Sequence, residues 1–186
     1  MSAVWPVDFD PTHLYLVTSA AIQHAHLFKR DVMKQVIVDS WNYTQSEGWL
    51  RFYAYVIMPN HIHCIVRCQP DHPVMDVVRD FKKYTAKRII AQHQAEGNER
   101  VLSFLQEAVK RPRKQTYAVW EDEYMARDIV SPRFLWQKME YVHNNPLQPH
   151  WRLVDRAEDY EWSSARFYMC GEPVVVPVSD ARELIV

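Results

Sequence analysis

Residues 50–67 constrain the fold of this chain more than any other stretch. Phe52-Tyr53-Ala54-Tyr55-Val56-Ile57 is aromatic and β-branched, a composition that suits a pleated, half-buried strand rather than a helix. Met58-Pro59-Asn60 interrupts it, and His61-Ile62-His63-Cys64-Ile65-Val66 resumes the extended pattern. The spacing predicts two strands, Leu50 to Ile57 and His61 to Arg67, hinged at Pro59-Asn60. Side chains of a strand alternate between faces, so His61 and His63 share one face while Ile62, Cys64 and Val66 point to a core on the other. Two imidazoles side by side on one face can share a divalent cation. A His-x-His taken alone reads first as a pair of surface histidines on a half-exposed strand, because so short a pattern occurs by chance, so the remaining chemistry has to come from elsewhere in the chain.

Around this pair the elements follow in order. Residues 13–19 read as a first strand after the turn signal Asp10-Pro11. Residues 29–46 read as a helix with apolar positions at Val32, Met33, Val36 and Ile37. Gly48 stands just past its end, where a left-handed residue commonly closes a helix. A second helix is expected over 73–94, with Pro73 near its first turn and Val74, Val77, Val78, Phe81, Ala86, Ile89 and Ile90 as the buried stripe. Residues 95–115 lack a clean period and contain Gly97, Asn98 and Pro112, which reads as a loop with a short helical piece. Thr116-Tyr117-Ala118-Val119-Trp120 has the composition of a further strand. Ser131-Pro132 opens a third helix as N-cap and first helical residue. Leu135, Met139 and Val142 are its buried stripe, and Pro146 closes it. From about Trp151 the tail is mixed, turn-rich and locally acidic.

Several function classes drop out on composition. At 186 residues, with 48% apolar and 24% charged residues, the chain fits one domain, 1–186, without repeats or an interdomain linker. Only three glycines are present, too few for a glycine-rich phosphate loop of the usual kind. Cys64, Cys68 and Cys170 are an odd set without paired spacing, which argues against a disulfide framework or a cysteine zinc site. No apolar run approaches the length of a membrane-spanning helix, and Met1 to Asp10 lacks a basic start and apolar core, so a cytoplasmic protein is expected. Seven Trp and ten Tyr are many for this length, leaving rings for stacking or contact surfaces.

A net charge of −1 does not announce a nucleic-acid binder, so any basic surface must be local. The polar face of the second helix carries Arg79, Lys82, Lys83, Lys87 and Arg88, and the connection at 110–114 adds Lys110, Arg111, Arg113 and Lys114. Asp76 and Asp80 neutralise only the start of that helix. Such a run fits a solvated face, and it also supplies the counterion-release term that drives binding to phosphate backbones. In the third helix Tyr141 and Asn145 stand four residues apart, one turn apart on one face and offset from the buried stripe. A tyrosine hydroxyl can attack phosphorus to form a covalent intermediate, and an amide oxygen can complete a cation site begun by imidazoles. Each has a plainer reading, a half-buried helix tyrosine and a C-cap asparagine.

Met58-Pro59-Asn60-His61-Ile62-His63 followed by Tyr141-Val142-His143-Asn144-Asn145-Pro146 resembles the single-tyrosine HUH transposases, specifically the REP-associated tyrosine transposases. Supporting matches are the first strand before Leu27-Phe28, Trp120 through Tyr124, and Tyr160-Glu161-Trp162-Ser163-Ser164. The resemblance covers most of the chain, from about His13 to Ser164. It implies an α+β fold with a ferredoxin-like antiparallel sheet, helices packed on it and the histidines on a central strand. It makes His61, His63 and Asn145 ligands of Mg²⁺ or Mn²⁺ (zinc would also suit imidazole) and Tyr141 the nucleophile. The implied activity is nicking and joining of single-stranded DNA beside a hairpin through a 5′-phosphotyrosine, with DNA the partner of the basic residues and the protein a monomer or a dimer. The alternative is a non-catalytic nucleic-acid-binding module of the same fold. Two departures stand out: after Pro146 the family continues with a small, glycine-containing segment where this chain has Leu147-Gln148-Pro149-His150-Trp151, and the stretch 95–115 is longer.

Overall fold

The computed structural model describes residues 9–112 and 114–185. Residues 1–8, most of the segment expected to carry no targeting signal, lie outside the described residues, as do Arg113 and Val186.

Four strands, β1 (Leu14–Ala20), β2 (Leu50–Ile57), β3 (His61–Cys68) and β4 (Met125–Ile129), form one antiparallel sheet in the order β2-β3-β1-β4. Helix α1 (Asp31–Ser46) joins β1 to β2, and α2 (Val74–Ala95) with the shorter α3 (Glu99–Glu107) joins β3 to β4. This is the ferredoxin-like arrangement, and it puts β3 in the middle of the sheet, as expected for the strand of the histidines. After β4 come α4 (Pro132–His143) and the short α5 (Ala165–Cys170). Among the described residues no helix is long and apolar enough to cross a membrane.

Register decides which side chains share a face. Thr18 and Val56 stand opposite His63, while Ser19 and Ile57 stand opposite Ile62. The face of Val17, Ile62, Cys64 and Val66 is covered by α1 and α2 through Trp41, Val74, Val77, Val78 and Phe81. Tyr15, Tyr55, Ile65, Ile37 and Ile89 are wholly buried in the core; each such side chain contributes about 1.5–3 kcal/mol of burial free energy. The other face, with His61 and His63, is left for α4, which packs on β2 and β3.

The helices follow the sequence closely. In α1 the buried apolar residues are Met33, Ile37, Val38 and Trp41; Val32, expected among the apolar positions, is exposed. Gly48 takes φ +74° just beyond the helix, a conformation a Cβ would strain. Ser131 caps α4 by accepting a hydrogen bond from the Phe134 N–H, with Pro132 in the first turn.

The fourth strand is not where composition suggested. Residues 116–120 form no strand; the segment is held irregularly, with Ala118 N–H donating to the Leu105 carbonyl and Ile22 N–H to the Val119 carbonyl. Trp120 makes only an isolated bridge to Ala21, and its ring lies 4.7 Å from Phe28 and 5.4 Å from Phe81. Its Nε1–H donates to Thr85 Oγ1 at 3.0 Å. Burial against α2 and the turn before α1, not a ladder, gave this segment its β-like composition. The strand that pairs with β1 is Met125–Ile129, an edge strand in which only Ala126 and Ile129 are buried. Its solvent-facing Arg127 and Asp128 hide the alternation.

The tail closes the opposite edge. Ile57 N–H donates to the Trp162 carbonyl at 2.9 Å, Ser164 N–H to the Tyr55 carbonyl at 3.0 Å, and Ser179 N–H to the Phe52 carbonyl at 2.8 Å. The edge of β2 is thereby covered by the chain's own backbone, as an unprotected sheet edge requires.

Candidate active site

The Pro59-Asn60 hinge forms the turn between β2 and β3, with Met58 N–H donating to the His61 carbonyl. His61 and His63 emerge on the same face of β3, their ring centroids 4.7 Å apart and their planes at 72°. Helix α4 brings Tyr141 over them, and Asn145, expected on the same helix, instead opens the short 3-10 turn Asn145–Leu147 just past its C-cap Asn144. Tyr141 Oη lies 3.2 Å from His63 Nε2, and Asn145 Oδ1 lies 3.2 Å from His61 Nε2. The four residues singled out in two distant segments of the chain therefore meet at one point. The phenol remains substantially exposed, whereas Asn145 and His63 are buried, so an incoming group can reach the hydroxyl.

Hydrogen bonding fixes how the imidazoles face. Asn60 Nδ2 donates to the His24 carbonyl, which leaves its Oδ1 to accept from His61 Nδ1 at 2.5 Å. His61 therefore carries its proton on Nδ1 and turns the Nε2 lone pair into the site. His63 Nδ1 lies 2.7 Å from Thr18 Oγ1, on the neighbouring central strand, and its Nε2 faces Tyr141. Burial holds both imidazoles neutral: the pKa of His61 is pushed down to about 4, and that of His63 to about 3, where the neighbouring His61 and Lys138 add to the desolvation. Neutral imidazole is the form that ligates metals.

One contact is informative because it is unfavourable as it stands. The His61 Nε2 lone pair faces the Asn145 carbonyl oxygen, with no proton available between them. Two acceptors at hydrogen-bond distance repel, and a cation between them reverses the sign. The donor set of His61 Nε2, His63 Nε2 and Asn145 Oδ1 thus fits a divalent cation. Among the described residues no group of three His, Cys, Asp or Glu side chains could hold a metal; the third ligand here is an amide. Cys64 lies on the opposite face of β3, buried with a strongly raised thiol pKa, and takes no part.

Sequence reasoning overlooked three neighbours. Thr18 orients His63. Lys138, one turn before Tyr141, places its Nζ 5.7 Å from the Tyr141 ring centroid. His143, between Tyr141 and Asn145, is buried and meets Ser164 Oγ at 2.8 Å, its pKa pushed down to about 4 by burial. The motif Tyr141-Val142-His143-Asn144-Asn145-Pro146 and the tail motif ending Ser163-Ser164 are therefore in contact; the sequence placed both on the page without indicating why they go together.

The basic residues are not brought to the histidines. Helix α2 covers the other face of the sheet, so Arg79, Lys82, Lys83, Lys87 and Arg88 lie on that side. Arg79 pairs with Asp76 and Asp80. Lys82 is turned inward: its Nζ donates to the backbone carbonyls of Glu121 and Asp122 and lies over the Tyr124 ring, and burial lowers its pKa to about 8. Lys110 pairs with Glu121 at 3.0 Å. Lys83, Lys87 and Arg88 are exposed on α2, and Arg111 and Lys114 are exposed in the connection; Arg113 lies outside the described residues. Lys83 and Lys87 border a groove of about 850 Å³ between α2 and residues 115–124.

Comparison with known proteins adds an independent view. A sequence model of the family described as "Transposase IS200 like" matches residues 12–145. The solved structure of a REP-associated tyrosine transposase bound to a REP hairpin superposes with a TM-score of 0.65 at 17% identity, covering 97% of this chain and 93% of that one. A second structure, provisionally named a transposase of Deinococcus radiodurans, gives a TM-score of 0.45 at 20% identity over 77% of this chain and 97% of its own. A comparison with curated protein sequences gave no match.

Proposed function

The chain belongs to the IS200-like transposase family, and from that premise we propose that it is a metal-dependent single-strand DNA endonuclease and strand transferase acting through a 5′-phosphotyrosine. The observation that carries this reading is the convergence of Tyr141 Oη on His63 Nε2 beside a lone pair of His61 turned toward Asn145 Oδ1. A nucleophile and a cation-ligating set that meet at one point are what phosphoryl transfer needs, because the reaction depends on placement and charge stabilisation.

His61, His63 and Asn145 would hold the divalent cation, Mg²⁺ or Mn²⁺, which when bound neutralises charge on the scissile phosphate. Tyr141 attacks phosphorus: a bond from Oη to phosphorus forms, the bond from phosphorus to the 3′-oxygen breaks, and the phenol proton leaves to solvent through the exposed side of the ring. The departing 3′-oxygen becomes a hydroxyl. A later 3′-hydroxyl attacks the tyrosyl phosphate and restores Tyr141, so the bond energy stays in the phosphotyrosine and no nucleotide is consumed. Lys138 Nζ, 5.7 Å from the Tyr141 ring centroid, adds a positive charge beside the place the phosphate would occupy. Helix α4 carries Tyr141 and runs through its C-cap Asn144 into the turn that opens at Asn145, so one continuous segment sets nucleophile and ligand together.

The substrate class we carry over is hairpin-bearing single-stranded DNA, because the REP-associated relative of the same fold is bound to a REP hairpin. Lys83, Lys87, Arg88, Arg111 and Lys114 are the exposed cations for its backbone. Incubating the protein with a hairpin-bearing single strand and Mn²⁺, followed by a denaturing gel, tests the reading. A covalent protein–DNA band is expected. A cleaved strand without adduct would instead assign the work to activated water, and intact DNA bound without cleavage would leave a binding module.

A further inference from the structure

The rim of the site carries rings that the proposed chemistry does not use. The Trp151 ring centroid lies 6.1 Å from that of His61, 5.3 Å from His26 and 5.6 Å from His150. His26 and His150 are exposed and Trp151 is partly so. Two separate loops build this rim. One is the turn after β1, where Gln23 and His24 both take φ +52°. The other follows α4, where Trp151 N–H donates to the Gln148 carbonyl at 2.8 Å and Leu153 N–H to the Pro146 carbonyl at 3.0 Å. The second loop is thus anchored one residue after Asn145. Arg152, the next residue in the chain, is exposed at φ +41°.

We propose that Trp151, flanked by His26 and His150, is a stacking platform for an unpaired nucleobase next to the scissile phosphate. This rests on the function proposed above and names where the strand is gripped. The chemistry selects a base over other occupants. The rings form a continuous path outward from His61, so whatever occupies the cation site continues onto the indole. An indole with two imidazoles at its margin offers a π-face with polar edges, which suits a flat heteroaromatic ring attached to a phosphate. Base–aromatic stacking tolerates any base, so the platform holds the strand in place without reading its sequence.

Short single strands carrying 5-iodouracil at successive positions, irradiated with the protein and analysed by peptide fragmentation, test this directly. Iodouracil crosslinks to the ring it stacks on, and the expected crosslink is at Trp151, at one position beside the cleaved bond. Trp151→Ala should abolish that crosslink and weaken single-strand binding roughly tenfold, while Trp151→Phe restores much of it and shows that the loop still folds. An abasic nucleotide at the crosslinking position should weaken binding to the wild type and make no further difference to Trp151→Ala. Crosslinks confined to other residues, with the Tyr141 adduct still forming, would overturn the platform and leave the proposed function standing. No binding, crosslink or adduct with any strand would overturn both.

Discussion

Replacing Ser164 by alanine deletes a single oxygen atom, yet the structure makes it a test of how α4 is held. Ser164 is wholly buried. Its Oγ accepts from the Tyr55 N–H at 2.9 Å and lies 2.8 Å from His143 Nε2. Tyr55 belongs to β2, and His143 is the last residue of α4. One hydroxyl therefore ties the end of the helix that carries Tyr141 and leads into Asn145 to the sheet that carries the histidines. Ser164→Ala leaves a buried N–H and a buried imidazole nitrogen without their partner. At about 1–3 kcal/mol for each of the two unsatisfied groups, the loss is about 2–6 kcal/mol. That is a large part of the roughly 5–15 kcal/mol that keeps a domain folded. For a chain of this size it lowers Tm by about 4–24 °C. Thermal and urea melts of the wild type, Ser164→Ala, His143→Ala and the double variant give the coupling directly, expected at about 1–3 kcal/mol. Adduct formation should fall by up to about 100-fold in Ser164→Ala at temperatures where it is fully folded, because small displacements of positioned groups cost that much. A loss under about 1 kcal/mol with additive single variants would refute the idea that this contact holds the helix end.

Tyr141→Phe should leave stability nearly unchanged and abolish the covalent adduct, whereas Tyr84→Phe should retain it. Tyr84 is exposed on α2, which covers the opposite face of the sheet, so an adduct persisting in Tyr141→Phe would remove the nucleophile assignment. Chelation with EDTA should lower Tm of protein prepared with Mn²⁺, and in His61→Ala the chelator should make no difference, as differential scanning fluorimetry would report. The metal-free protein should lose stability in acid. His61, His63 and His143 have pKa values of about 4, 3 and 4 against an ordinary 6.5, so below about pH 6.5 the unfolded chain takes up protons that the folded chain refuses. Stability is then fully present above pH 6.5 and declines toward pH 4, by on the order of 1–2 kcal/mol per buried imidazole at pH 5; urea midpoints that match at pH 7 and pH 5 would contradict it. Charge reversal at Lys83 and Lys87, which are exposed, should flatten the salt dependence of single-strand binding. Lys82 is unsuited to that experiment because its amine holds two backbone carbonyls.

What the sequence determined on its own was local and periodic. Alternation put His61 and His63 on one face of a strand, helical spacing put Tyr141 and Asn145 one turn apart, and Ser131-Pro132 marked where α4 starts. These are consequences of backbone geometry acting over a few residues, so no tertiary information was needed to see them. The fourth strand escaped because an edge strand buries only Ala126 and Ile129, while Tyr117 to Trp120 borrowed a strand's composition from burial against α2 and the turn before α1. Tertiary structure alone decided the contacts between distant segments: Thr18 against His63 across β1 and β3, Ser164 against His143, Trp151 beside His61, and Lys82 folded inward rather than outward. Such pairings depend on register and on how α4 and the tail dock on the sheet. No short-range pattern encodes them, because the free energy that selects them comes from packing surfaces that meet only once the chain has folded.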